Sequence, residues 1–385
     1  MANEPGQTES KGILTFSIET KEACEALATK LHEVIKAKCE VAIDINIEEG
    51  KEFKVEIPEG IKQGVKCGVI ITDRYGNVIA TGGTPEEIKR RINGASATKV
   101  IMSYMMLKDL YERGLLDLND LNTKQLPSHS SKVNGKEIER DISINEYLHD
   151  ILGESQNAQI AALRTMYVAL MTGLEGTSEN PMDDIENKIN DYLGVSVEEN
   201  KYIPRTSTIG KSDKGLGNTG PFDVLHESFR KTVVECKSEN STLPAEFRKA
   251  FLEALALLPI DPSRMPHTFK RQNPDKLVEE HHIREKSGWF ADQGDDRNVA
   301  NTFGETVVNG EVVYISYYHE VEEVTKAKDE IKENPDGSIK EPLPGEQQKG
   351  KFRIYQRENQ QKRYLSMVGE AIKQVSEDQD LKLFT

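Results

Sequence analysis

Ser96-Ala97-Thr98-Lys99 is the stretch on which the reading of this chain turns. The residues after it carry an apolar face at helical spacing through Leu110, and Gly114 supplies a stop. The four residues therefore stand where a helix over 98–113 begins. Positions i and i+3 share a helix face, so the Lys99 amine is placed to reach the Ser96 hydroxyl. A neutral or proton-sharing lysine can take the serine proton, and a helix N-terminus favours the negative charge that develops. Read alone, the same residues also describe a helix N-cap followed by a solvated lysine. A second Ser-x-x-Lys, Ser228-Phe229-Arg230-Lys231, lies within an amphipathic helical pattern and reads as surface.

Two more motifs follow in the chain. Ser155-Gln156-Asn157 opens a helical pattern over 157–172 and by itself reads as an N-cap. Lys286-Ser287-Gly288 opens the strands near the C-terminus and by itself reads as an ordinary strand start. Together, in this order and these contexts, the three motifs resemble the signature of the serine β-lactamase and penicillin-binding protein (D,D-peptidase) superfamily, closest to its class A branch. Gly68-Val69-Ile70-Ile71-Thr72-Asp73-Arg74-Tyr75-Gly76-Asn77-Val78 looks like the family's first hairpin. Residues 99–118 look like its nucleophile helix, and Thr219-Gly220-Pro221-Phe222-Asp223-Val224-Leu225 is loosely similar to a later helix start. The resemblance spans 65–320 and 361–376, and it leaves 12–60 and 321–350 unexplained.

The resemblance implies an α/β (α+β) fold of two lobes, an antiparallel sheet flanked by helices plus an all-helical lobe. It also implies roles. Ser96 attacks a carbonyl and Lys99 takes or relays its proton. Ser155 shuttles a proton to the leaving nitrogen, assisted by the lysines. Asn157 holds the substrate amide, while Lys286 and Ser287 bind a substrate carboxylate. Backbone N–H groups of Ser96 and Trp289 form the oxyanion hole, and Gly288 lets substrate approach the strand edge. Two positions depart from the pattern: Gln156 replaces the usual Asp, and Ser287 the commoner Thr. For the deacylating base, Glu186 has an Asn four residues on, Asn190, as the family's base does. The segment 183–193 reads equally as a plain amphipathic helix. Without a base the acyl-enzyme is long-lived, which suits a peptidase more than a fast β-lactamase.

Working outward, residues 1–11 read as a flexible tail and 12–60 as a βαββ-like extension, with strands at 13–16, 41–47 and 53–57 and a helix over 20–38. This block is either a small subdomain or extra strands on the main sheet. Residues 61–97 and 285–385 form the sheet lobe and 98–284 the helical lobe. Strands at 65–72 and 78–81 are joined by Asp73-Arg74-Tyr75-Gly76-Asn77, and strands at 299–308 and 312–319 by Asn309-Gly310, both turn signals. Residues 115–284 read mainly as helix and loop. A charged, Pro- and Gly-containing run at 321–350 reads as an exposed insertion, and 361–376 as a terminal amphipathic helix.

Composition bounds the function. The 385 residues are enough for a large core, with 36% hydrophobic and 30% charged residues. A net charge of -15 argues against nucleic-acid binding. No apolar run is long enough for a transmembrane helix, and the start Met1-Ala2-Asn3-Glu4-Pro5-Gly6 has no signal-peptide pattern. The expected location is cytoplasmic, or periplasmic or secreted had a signal been removed. Cys24, Cys39, Cys67 and Cys236 form no CxxC pair and read as buried thiols. No cofactor or metal is expected: the rings of His281-His282 diverge, and Gly215-Leu216-Gly217-Asn218-Thr219-Gly220 lacks the ending of a phosphate loop. Trp289-Phe290 reads as packing in a cleft wall. The expected activity is that of a serine hydrolase acylated at Ser96 by a β-lactam or related amide or ester and then deacylated by water. The alternatives are a D,D-peptidase or esterase, or a non-catalytic binding protein on the same scaffold. The expected partners are a small-molecule or peptide-like substrate and, through 321–350, a protein; no nucleic acid and no membrane are expected.

Overall fold

Strict alternation of buried side chains along two long strands sets the architecture. In the strand 311–322, Val313, Ile315 and Tyr317 pack into one apolar cluster, and Tyr314 and Tyr318 into another. A strand buried on both faces must be covered on both. The computed structural model describes residues 16–39, 44–48, 51–54, 64–127, 131–133, 136–138, 141–196, 200–202, 218–256, 284–291, 297–322, 331–333 and 339–342.

The chain opens with helix α1 (Ile18–Cys39), then β1 (Asp44–Glu48), β2 (Lys51–Lys54), β3 (Gly64–Thr72), β4 (Val78–Gly82), the short helix α2 (Pro85–Ile88) and β5 (Arg91–Asn93). A 3-10 turn, Ala95–Thr98, leads into α3 (Lys99–Glu112). Four short strands follow, β6 (Lys124–Pro127), β7 (Ser131–Val133), β8 (Lys136–Ile138) and β9 (Asp141–Ser143). Then come α4 (Ile144–Leu148), a π-turn at His149–Gly153, α5 (Asn157–Met171) and α6 (Pro181–Leu193). After β10 (Thr219–Pro221) the order is α7 (Phe222–Lys237), α8 (Ala245–Ala256), β11 (Arg284–Ala291), β12 (Arg297–Val308), β13 (Glu311–Glu322), β14 (Ile331–Glu333) and β15 (Ile339–Pro342).

The main sheet has five antiparallel strands in the order β11-β12-β13-β3-β4. Both expected turns close it. Asp73 Oδ1 accepts from the N–H groups of Tyr75 and Asn77 at 2.8 Å, and Gly76 sits at φ +86. Asn309 and Gly310 both take positive φ, as a two-residue hairpin of this hand requires. The helical lobe and one sheet face share a core that includes Ile70, Phe222, Phe303, Tyr314 and Tyr318. The sheet's other face is covered by α1, through Ala23, Cys24, Leu27, Leu31 and Ile35 against Val69, Ile71, Ala300 and Ile315. The expected architecture, an antiparallel sheet flanked by helices plus a helical lobe, is the one present.

Several details differ from the sequence reading. β1 and β2 pair with each other rather than extending the main sheet. The 115–284 stretch contains the short pairs β6–β9 and β7–β8; with three or four residues per strand, they are too brief for periodicity to register. Ser228 and Arg230 are buried, not surface: Ser228 Oγ donates back to the Leu225 carbonyl at 2.7 Å. Within 321–350, residues 321–322 end β13 and the other described residues form the β14–β15 pair. The strand expected at 13–16, apart from Phe16, and the helix expected at 361–376 lie outside the described residues, as do His281-His282.

Candidate active site

Ser96 is presented by a turn that the surrounding polar groups hold in an uncommon conformation. Ala95, immediately before it, has φ +45, costly for a residue with a Cβ. Three bonds hold this geometry. Asn93 Oδ1 accepts from the Ala95 N–H at 2.8 Å, the Ala97 N–H donates to the Gly94 carbonyl at 3.0 Å, and Thr98 Oγ1 donates to the Ala95 carbonyl at 2.7 Å. From below, the Gly94 N–H donates to the Asn218 carbonyl at 2.8 Å, beside the β5–β10 pairing. Ser96 is partly exposed and does not act as a cap: the residue before α3 is Thr98, with no side-chain cap bond.

Lys99 is not the solvated lysine of the simplest sequence reading. It is buried, at 4% exposure, and its amine is bonded to Ser155 rather than to Ser96. Nζ donates to the Ser155 carbonyl at 2.5 Å and to Ser155 Oγ at 3.1 Å. Burial lowers its pKa from 10.5 to about 7. An amine in that range is neutral often enough at neutral pH to accept a proton.

Ser155 is buried and takes φ +59, so it is not the N-cap of α5; that position falls to Gln156, which has no side-chain cap bond. The left-handed backbone at Ser155 turns both its carbonyl and its hydroxyl toward Lys99. The loop is closed beneath by the Gln156 N–H donating to the Asp150 carbonyl at 2.9 Å. Gln156 and Asn157 are exposed, so the departure of Gln156 from the expected Asp lies outside the buried cluster.

Lys286 and Ser287 stand on β11, an end strand of the sheet, and both are fully buried. Lys286 Nζ donates to the Leu152 carbonyl at 2.8 Å, which ties β11 to the turn carrying Ser155. Ser287 Oγ lies 2.9 Å from Thr302 Oγ1 across the β11–β12 pairing. Gly288 is where β11 meets the Ser96 turn. A Cβ there would stand 2.5 Å from the Gly94 carbonyl oxygen, 2.7 Å from Asn301 Oδ1 and 3.0 Å from the Ala97 nitrogen. Only a glycine allows that approach. The Trp289 backbone follows on the same strand, paired with Ala300.

Glu186 lies partly buried on α6. Its charge acts on the buried phenol of Tyr202, whose pKa is pushed up by burial first and by Glu186 further, against the Thr98 hydroxyl. Asn190 does not pair with the Glu186 side chain. Its amide nitrogen donates to the Glu186 and Tyr202 carbonyls at 2.9 Å, and its oxygen accepts from the Tyr202 N–H at 2.8 Å. The structure thus joins Lys99 to Ser155, Lys286 to the turn that carries Ser155 and Gly288 to the turn that carries Ser96, with Ser287 beside Thr302 and Glu186 close enough to act on Tyr202.

Sequence reasoning missed Asn93 and Asn301. Asn301 Nδ2 donates to the Asn93 carbonyl at 2.9 Å, so the sheet braces the turn that presents Ser96. The available signal was Asn301-Thr302 set between the apolar Val299-Ala300 and Phe303; both are fully buried in the structure.

No family model matches the chain, and no curated protein does. Among solved structures, the chain is similar to a class A β-lactamase from Bacteroides cellulosilyticus at 11% identity, with 80% of this chain and 93% of that one covered and a TM-score of 0.44. A β-lactamase from Xanthomonas campestris shares 13% identity over 90% of this chain and 99% of its own, with a TM-score of 0.47. The TLA-3 extended-spectrum β-lactamase shares 15% over 68% of this chain and 86% of its own, with a TM-score of 0.45.

Proposed function

We propose that this chain is a serine hydrolase of the β-lactamase type, acylated at Ser96 by a β-lactam or a related amide or ester and then deacylated by water. The observation that carries the reading is the buried Lys99 amine, bonded to Ser155 one helical turn beyond Ser96 and lowered by burial to about 7. A desolvated amine with no carboxylate bonded to it is costly to maintain for stability alone, and a proton relay gives it a use.

In the proposed reaction, neutral Lys99 takes the Ser96 proton as Ser96 Oγ bonds to the substrate carbonyl carbon. The developing oxyanion is met by backbone N–H groups of Ser96 and Trp289. Lys99 passes the proton through Ser155 to the leaving nitrogen as the C–N bond breaks, which leaves an acyl-Ser96 ester. Lys286, through the Leu152 carbonyl, holds the Ser155 turn and adds positive field for a substrate carboxylate, with Ser287 as its polar neighbour. Asn157, exposed at the start of α5, orients the substrate amide. In deacylation water adds to the ester carbonyl, the bond to Ser96 Oγ breaks, and Ser96 regains a proton. Glu186 is the candidate to take the proton from that water.

Intact-mass spectrometry after incubation with a penicillin, with Ser96→Ala as control, tests this. An adduct of the drug's mass, absent from the variant, supports acylation with slow release. Drug hydrolysis that depends on Ser96 without an accumulating adduct supports acylation with a working deacylation base. A folded protein that shows neither adduct nor hydrolysis sinks the β-lactam reading.

A further inference from the structure

We propose that His32, Cys67 and Glu87 form a zinc-type metal site that pins the N-terminal helix α1 to the sheet and to the segment leading into Ser96. The three come from different elements, α1, β3 and α2, and offer an imidazole nitrogen, a thiol sulfur and a carboxylate oxygen all within 4.8 Å of one another. His32 Nε2 lies 3.5 Å from Glu87 Oε2. Two ligands about 2.0–2.1 Å from a tetrahedral zinc are separated by roughly 3.3 Å, so this spacing needs little adjustment.

A simple His–Glu ion pair is the competing account, and three observations go beyond it. First, His32 Nε2 is buried and makes no hydrogen bond, although an imidazole in a plain pair would be expected to donate one. Second, the Cys67 sulfur closes the third side from the fully buried floor, with its thiol 3.8 Å from the His32 carbonyl oxygen. Third, the backbone is shaped around the cluster. Gly83, at φ +110, would place a Cβ 3.1 Å from Glu87 Oε2 and 3.3 Å from His32 Cδ2. Gly82 would place one 2.2 Å from the Ala28 carbonyl oxygen. The glycine pair thus lets α1 approach until His32 stands over Cys67.

The donor set suits the metal. A neutral imidazole, a thiolate and a carboxylate together carry two negative charges, matching a divalent cation of borderline softness. Glu87 is also oriented from behind: Oε2 accepts from the Thr84 N–H at 2.8 Å within a capping box, as supporting groups do for metal ligands. Three protein ligands leave the fourth position to water. On binding, the Cys67 thiol loses its proton to the buffer and the zinc–sulfur bond forms with no change of oxidation state. Downstream, the Glu87 carbonyl accepts from Tyr318 at 2.7 Å, and β5 then runs to the Ser96 turn, so the metal would anchor the start of that path.

The test uses untagged full-length protein, zinc competition against a chromophoric chelator, and cobalt(II) as a spectroscopic probe. The expected result is one zinc per chain, released proton on binding, and a thiolate-to-cobalt charge-transfer band. Glu87→Gln keeps the capping box because Gln serves at that position, and Cys67→Ala removes the sulfur. Each should weaken zinc at least about tenfold, and Cys67→Ala should abolish the charge-transfer band. Zinc should raise the melting temperature of the wild type and not of the variants. No binding at micromolar zinc, or unchanged zinc affinity in Glu87→Gln, overturns the proposal. Should Cys67→Ala fail to fold, Glu87→Gln and the cobalt spectrum of the wild type decide it.

Discussion

Lys99 Nζ stands 3.1 Å from Ser155 Oγ and 2.5 Å from the Ser155 carbonyl oxygen, although 56 residues separate them in the chain. The contact joins the helix that begins beside Ser96 to the left-handed turn before α5. It gives Lys99 its place, and burial lowers its pKa. If this amine is the base for acylation, the acylation rate should rise with pH through about 7, falling about tenfold per unit below it. Lys99→Met should remove that limb and lower the rate by roughly 10²–10⁴-fold. Stopped-flow acylation of both proteins across pH 5–9, with circular dichroism to confirm folding, checks this. A pH-independent wild-type rate would remove Lys99 from the role.

Gly288 carries the second prediction. Gly288→Ala puts a Cβ 2.5 Å from the Gly94 carbonyl oxygen, backbone that cannot step aside without moving the Ser96 turn. A displacement of about 1 Å at a reacting group is worth on the order of a hundredfold. Acylation should fall by about that factor while the circular dichroism spectrum is retained. An acylation rate equal to wild type would mean that β11 and the turn are less tightly coupled than described.

Ala95 carries the third. A left-handed alanine costs about 1–2 kcal/mol that glycine avoids, partly offset by glycine's greater freedom when unfolded. Ala95→Gly should therefore leave stability unchanged or raise it by up to about 1 kcal/mol, read from urea midpoints. Asn93→Ala should act in the opposite direction, because it removes the acceptor for the Ala95 N–H and leaves the strain in place.

The fourth concerns acid. His226 is buried between Thr72 Oγ1 at 2.8 Å and Ser316 Oγ at 2.7 Å, and burial lowers its pKa from 6.5 to about 3. His319, buried in β13, is lowered to about 4 by the same cause. Both remain neutral in the folded chain where the unfolded chain binds protons. Their contribution is intact above about 6.5 and is lost as pH falls toward those lowered values. Two such groups give a maximal slope of about 2.7 kcal/mol per pH unit. His226→Gln should flatten the dependence of the denaturation midpoint between pH 6 and 4, and an unchanged slope would count against a neutral buried His226.

How much was legible in the sequence varied with the range of the interaction. The sheet hairpins were legible because Asp73-Arg74-Tyr75-Gly76-Asn77 and Asn309-Gly310 encode their turns locally. The helix after Ser96 was legible from periodicity, and so were the later helices. The short pairs β6–β9 and β7–β8 were not, since three or four residues show no period. Ser228 was read as surface because its helix looked amphipathic, yet it lies on the face that packs inward. The simplest local readings of Ser96 and Ser155 as caps failed for one reason. Capping is decided within four residues, whereas both serines sit in turns that are also braced from far along the chain, the Ser96 turn by Asn218 and Asn301 and the Ser155 turn by Lys99 and Lys286.

What the sequence determined by itself was the inventory and its order: a Ser-x-x-Lys before a helix, a Ser-x-Asn before another, a Lys-Ser-Gly on a strand, and the turns that fold the sheet. These follow from local periodicity and turn chemistry. Only the tertiary structure decided that Lys99 is buried, that it meets Ser155, that Gly288 and Asn301 brace the Ser96 turn, and that His32, Cys67 and Glu87 converge under α1. Desolvation and donor–acceptor distance are properties of segments packed against one another, and no spacing along a single chain specifies them.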